Sequence, residues 1–103
     1  MFDPKKLMDM MKQASGLQQK VQDELKSKRV EGAAGGDMVK VVMNGQFDIL
    51  ELKIDKSVVQ MDDISFLEDL VQAAMNDAVK NTREMMKEHM QSMSSQFGLP
   101  FGK

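Results

Sequence analysis

Met38-Val39-Lys40-Val41-Val42-Met43-Asn44-Gly45 decides the fold of this chain. The first six residues are rich in β-branched side chains, which suit a pleated, half-buried strand. Asn44-Gly45 follows, and this pair favours a type I′ hairpin turn because both residues tolerate positive φ. Phe47 to Asp55 then reads as the returning strand. Leu50, Leu52 and Ile54 fall on one face and Glu51, Lys53 and Asp55 on the other. The expected buried face of the sheet is Val39, Val41, Met43, Leu50, Leu52 and Ile54. Upstream, Val30-Glu31-Gly32-Ala33-Ala34-Gly35-Gly36 is small and glycine-rich, and reads as a short edge strand and a loop. The centre of the chain, about residues 30–55, is therefore a three-stranded antiparallel meander.

The flanks change period. Asp3-Pro4 is a helix start, with Asp3 as N-cap and Pro4 at the first helical position. From there Leu7, Met11, Ala14, Gln18, Val21 and Leu25 recur at alternating spacings of four and three, a heptad-like seam with one polar interruption. Met8, Met10 and Leu17 widen it. Gly16 sits inside this helix at a cost of up to about 1 kcal/mol relative to Ala. The helix is expected over about 4–29. Lys56 to Asp63 reads as a connection. Ser65-Phe66-Leu67-Glu68 has capping-box spacing, and Asp62 or Asp63 offers a cap one turn earlier. The second seam runs Leu67, Leu70, Val71, Ala74, Ala78, Thr82, Met85, His89, Met93, giving a helix over about 63–96. Gly98 and Pro100 stop it, and residues 97–103 are expected to form a loose tail. The fold class is α+β, with an α-β-β-β-α order in a single domain over 1–103.

The helices are long for the sheet. At 1.5 Å per residue the first spans roughly 40 Å and the second roughly 48 Å, whereas a compact 100-residue domain has a radius of gyration near ~13 Å. Both must project beyond the sheet, with the start of the first beside the end of the second as an antiparallel pair. A sheet with little cover on its second side, and apolar helix surface left over, predicts a symmetric homodimer.

Composition excludes several function classes. The 103 residues contain no cysteine, so there is no disulfide framework, thiolate nucleophile or zinc–thiolate site. No run approaches the ~18 apolar residues of a membrane span, and the opening Met1-Phe2-Asp3-Pro4-Lys5-Lys6 has no signal-peptide stretch. His89 is the sole histidine, so no second nitrogen ligand accompanies it. The Gly32–Gly36 run leads to Asp37 and a strand, not to Gly-Lys-Ser/Thr at a helix start, so it is no phosphate loop. Asp62-Asp63 and Glu68-Asp69 are adjacent pairs whose side chains diverge on a helix and favour its N-terminal dipole. No serine sits in a Gly-x-Ser-x-Gly elbow. No catalytic residue, metal site, cofactor or small-molecule ligand is expected, and the chain reads as no enzyme. Twelve methionines without Trp or Tyr read as adaptable packing residues on helix interfaces.

The block Phe66-Leu67-Glu68-Asp69-Leu70-Val71-Gln72-Ala73-Ala74-Met75-Asn76-Asp77-Ala78 resembles the signature of the YbaB/EbfC nucleoid-associated proteins. Its surroundings are similar in the same order. They are Met11-Lys12-Gln13-Ala14, Val30-Glu31-Gly32-Ala33, Val39-Lys40-Val41, Asn44-Gly45 and Leu52-Lys53-Ile54-Asp55. The resemblance covers essentially the whole chain. It implies an α-β-β-β-α protomer, a tweezer-like homodimer with projecting helical arms, and bacterial DNA binding at the nucleoid in the cytoplasm, with bending or compaction of DNA and effects on gene expression.

Charge places the DNA contacts that this implies. The net charge is −2, but residues 1–29 carry seven Lys/Arg against four Asp/Glu, while residues 30–61 and 62–103 are acidic on balance. Phosphate contacts need cations. The candidate residues are Lys5, Lys6, Lys12 and Lys20 on the first arm, and Arg83 and Lys87 on the second. Lys26, Lys28 and Arg29 sit where the first arm meets the sheet. No aromatic interleaving supports base stacking, so little sequence preference and strong salt dependence are expected for duplex DNA. The reading from another class is a dimeric coiled-coil adaptor that grips a protein partner through its Met-rich helix faces.

Overall fold

The β-branched run forms the central strand. In a computed structural model describing residues 3–96, β2 (Val39–Met43) lies between β1 (Val30–Ala34) and β3 (Ile49–Ile54) in one antiparallel sheet. α1 (Pro4–Ser27) precedes the sheet, and α2 (Lys56–Gln60) and α3 (Ile64–Gln96) follow it. Residues 97–103, the expected tail, lie outside the described residues. The radius of gyration is 20.1 Å and the molecule measures 73 × 29 × 16 Å, so the helices project as their lengths require.

One layer of core holds the fold. Val39, Val41 and Met43 point from β2 to α3, where Leu70, Ala74 and Ala78 meet them, and Val58 of α2 closes one end. The register puts Gly32 beside Val41 on β1, and Gly32 is buried against the α3 backbone. A Cβ there would lie 2.6 Å from the Ala74 carbonyl oxygen. Gly32, Ala74 and Ala78 are thus small because α3 rides directly on β1. Two α3 side chains one turn apart then cap the outer edge of that strand. The Ala33 N–H donates to Asp77 Oδ2 at 3.0 Å, and Asn81 Nδ2 donates to the Glu31 carbonyl at 2.9 Å. β1 is closed as an edge; β3 is not.

The buried face is smaller than its alternation predicts. Leu52 and Ile54 lie opposite Val41 and Val39 on the α3 side, yet Leu52 is 50% exposed and Ile54 37%, with Leu50 at 42%. α3 covers β1 and β2 and leaves β3 bare. The uncovered apolar surface is thus on the helix side of β3. The opposite face of the sheet carries Glu31, Lys40, Glu51 and Lys53 around Val42, a charged surface that water covers well. The lack of cover that suggested a partner is real, but it lies on the other face.

Local chemistry departs from expectation in two places. The β2–β3 turn is a three-residue loop, not a type I′ pair. The Asn44 N–H donates to the Asp48 carbonyl, the Phe47 N–H donates to the Asn44 carbonyl, and Phe47 takes the positive φ, 64°. Asn44 is buried, and its Oδ1 accepts from the N–H groups of Gln46 and Asp48 at 2.9 and 3.0 Å. Next, the Lys56–Asp63 connection contains α2. Asp55 caps it by accepting from the Ser57 N–H at 3.0 Å. Of the caps the sequence offers for α3, Asp63 is the one used, its Oδ1 accepting from the Phe66 N–H at 3.0 Å. The first helix starts as read. Asp3 accepts from the Lys5 N–H, Pro4 takes the first position, and the helix ends at Ser27.

Candidate nucleic-acid interface

α1 carries no buried residue. Its docking is confined to its second half. At the root, the Gly45 N–H donates to the Leu25 carbonyl at 2.7 Å and Gln46 Nε2 donates to the Gln22 carbonyl at 3.4 Å. Beside the root runs a cleft lined by Leu17, Lys20, Val21 and Glu24 of α1 and His89, Ser92 and Met93 of α3. The two helices are antiparallel there, as expected, but only α1 residues from Leu17 onward take part. His89 is half-buried in this cleft, with Nε2 3.8 Å from a Glu24 carboxylate oxygen. It is an interface residue, as its setting among methionines suggests. Pro4 to Gly16 run on as a free arm among the described residues.

The six candidate cations are all exposed, or line the cleft in the case of Lys20, and none lies within ion-pairing distance of a carboxylate among the described residues. They do not form one surface. An α-helix turns about 100° per residue. Lys5 and Lys12 therefore share a line about half a turn from Val21, on the side of α1 facing away from α3. Lys6 and Lys20 share another line about a quarter-turn away, on the flank that borders the cleft. Arg83 and Lys87 lie about half a turn from buried Ala78, on the outer side of α3. The structure thus places the candidates as three short basic rows on two projecting helices. It does not bring the α1 and α3 rows together within one protomer.

Lys80 completes the third row. It sits three residues before Arg83 and seven before Lys87, so all three share the solvent face of α3. The pairing of Lys80 with Glu84 allowed by their i, i+4 spacing does not form: Lys80 is exposed and has no carboxylate within ion-pairing distance among the described residues. The spacing itself was the available signal. Arg29, by contrast, is committed to Glu51 at 3.0 Å and ties the end of α1 to β3. No group of three or more His, Asp or Glu among the described residues is placed to hold a metal ion.

A small α+β protomer with cationic, solvent-facing helical arms is the class that fold and surface define. Comparison with known proteins sharpens it. The sequence pattern of the YbaB/EbfC DNA-binding family matches residues 3–97. A nucleoid-associated protein of Caldanaerobacter subterraneus is 43% identical over 95 residues, which are 89% of this chain and 86% of that protein. A nucleoid-associated protein of Dictyoglomus thermophilum is 39% identical over 102 residues, 99% of this chain and 98% of that one. In fold, the crystal structure of an uncharacterized protein from Helicobacter pylori superposes with a TM-score of 0.71 at 24% identity, over 90% of this chain and 98% of its own. The chain belongs to the YbaB/EbfC DNA-binding family.

Proposed function

We propose that this protein is a nucleoid-associated protein that binds duplex DNA as a homodimer, with little sequence preference, through its helical arms. The observation that carries the reading is the set of cations on α1 and α3 with no carboxylate partner among the described residues, in a chain of a DNA-binding family. Lys5, Lys6, Lys12, Lys20, Lys80, Arg83 and Lys87 neutralise phosphates, and each such contact releases counterions without reading a base. The binding sites on two protomers add, and the projecting arms bend or compact the duplex, with effects on gene expression. The nucleoid in the cytoplasm is the setting this implies. The chain does no enzymatic chemistry in this reading.

The dimer forms through β3. That strand has a free hydrogen-bonding edge and exposed Ile49, Leu50, Leu52 and Ile54. Beside it lies an apolar groove of about 500 Å³ lined by Ile54, Leu67, Val71 and Met75. An open edge with apolar flanks invites a second chain, and a symmetric copy supplies the same apolar strand in return. With β1 capped by Asp77 and Asn81, β3 is the edge at which the sheet can grow.

The test is a binding titration of unrelated duplexes with purified protein and with the variant Lys5→Glu/Lys6→Glu/Lys12→Glu. Wild type is expected to bind all duplexes alike, and the variant to lose most of its affinity while remaining a dimer. Unchanged binding by the variant overturns the assignment to the first arm. Absence of binding by wild type at low salt overturns the DNA reading, and leaves the protein-adaptor reading.

A further inference from the structure

We propose that Ser15-Gly16 is a joint in α1 at which the basic tip of the arm bends relative to its docked half. Gly16 lies in the interior of a 24-residue helix, where glycine is the weakest helix former after proline. Glycine in such a place is usually explained by a close neighbour, as at Gly32 and Gly45. At Gly16 the space where a Cβ would stand is open, with nothing within 4 Å. No packing reason keeps the residue small. Helix bends concentrate at a few features, and adjacent Gly and Ser residues are one of them.

The position of the pair gives the bend a use. Leu17 is the first α1 residue to line the cleft with α3 among the described residues, so Ser15-Gly16 stands where that lining ends. On one side, Leu17 to Leu25 are held by α3 and by the β2–β3 loop. On the other, Pro4 to Ala14 are exposed and none of them lines that cleft, and Lys5, Lys6 and Lys12 ride on them. A rigid straight helix holds these three lysines on a fixed line. A joint lets them follow a curved phosphate backbone while the root stays docked. This use of the joint rests on the DNA reading; the joint itself does not.

The chain has no cysteine, so spin labels at Met8→Cys and Asp23→Cys report only on the segment between them. A straight helix over fifteen residues sets the backbone positions about 22 Å apart. With labelled chain diluted in unlabelled protein, the wild-type background is expected to give a broad distribution reaching shorter distances. Gly16→Ala should collapse it to one narrow peak near ~22 Å. Identical narrow peaks in both overturn the joint. In DNA titrations on unlabelled protein, Gly16→Ala should lower the slope of log affinity against log salt by about 0.9 for each tip phosphate contact it loses. A changed distance distribution with an unchanged slope keeps the joint and overturns its use on DNA. If wild type binds no duplex but the distributions differ as expected, the joint stands and the DNA reading falls.

Discussion

The Gly45 amide donates to the Leu25 carbonyl at 2.7 Å, and this contact fixes where the first arm leaves the sheet. Leu25 lies two residues before the helix ends at Ser27, and its carbonyl also accepts from the capping Lys28 N–H at 3.3 Å. The β2–β3 loop adds the shorter of the carbonyl's two bonds. A Cβ on Gly45 would stand 2.7 Å from that same oxygen and 3.0 Å from Leu25 Cα, both backbone atoms that yield only if α1 moves. Gly45 is therefore needed for closeness, not for positive φ. Gly45→Ala is expected to loosen the arm root at a cost of about 1–3 kcal/mol, the usual range for overpacking. Thermal unfolding gives the cost, and amide exchange across residues 20–27 shows whether the root is where it falls.

Gly32→Ala tests a second close approach, that of β1 to α3. Its Cβ meets Ala74 and Ala78 backbone atoms that belong to the centre of α3. The helix must lift off β1, which also stretches the Asp77 and Asn81 bonds to that strand. A loss of about 1–3 kcal/mol or more is expected, measured by denaturant unfolding. Wild-type stability in this variant contradicts the close packing of α3 on β1.

Asn44 acts through its acceptor oxygen. Asn44→Ala strands the Gln46 and Asp48 N–H groups that Oδ1 satisfies, at about 1–3 kcal/mol for each one left buried. Asn44 Nδ2 also donates to Asp48 Oδ2 at 3.4 Å, so Asn44→Asp alone would face a second carboxylate. The double variant Asn44→Asp/Asp48→Asn keeps the acceptor without that repulsion, so it should retain more stability than Asn44→Ala. Equal losses in the two variants contradict the capping role.

Asp55 makes stability depend on acid. The Ser57 N–H and then its hydroxyl hydrogen-bond the Asp55 carboxylate and hold its pKa below the ordinary 3.8. A lowered folded-state pKa means stability that is present above the unfolded value and lost as pH falls through the folded one. Asp55→Ala should therefore be less stable than wild type at neutral pH, and the gap should close below about pH 4. A gap that stays constant from pH 7 to pH 2 contradicts the cap.

The β3 face predicts the oligomer. Leu52→Glu and Ile54→Lys place charge on exposed positions outside the protomer core. Helix and sheet content should survive in each variant, and sedimentation should show a shift from dimer to monomer. A dimer that persists in both places the interface elsewhere.

These positions also mark what the sequence can say. The alternation of Val39, Val41 and Met43, the Asp3-Pro4 cap and the α3 seam are local signals, and each sits where it reads. Alternation in β3 told which side Leu52 and Ile54 face, but not whether anything covers that side, because cover depends on how far α3 reaches across the sheet. α2 is five residues long, too short to show a period. Asn44-Gly45 carries a strong turn preference, yet a carbonyl twenty residues upstream of the glycine, that of Leu25, sets its role. Gly32 is explained only by Ala74 and Ala78, more than forty residues away. In the interface, residue counts found the basic segment, and helical spacing finds its rows. Which rows face a common duplex depends on how the proposed dimer is arranged, and no linear pattern contains that.

The central claim is that the arms bind DNA through phosphates. The most direct measurement is duplex affinity across salt concentrations for wild type, for two unrelated sequences. Binding through phosphates predicts straight, superimposable lines of log affinity against log salt, falling by about 0.9 for each phosphate contact. A flat line, or a strong difference between the two sequences, would contradict it.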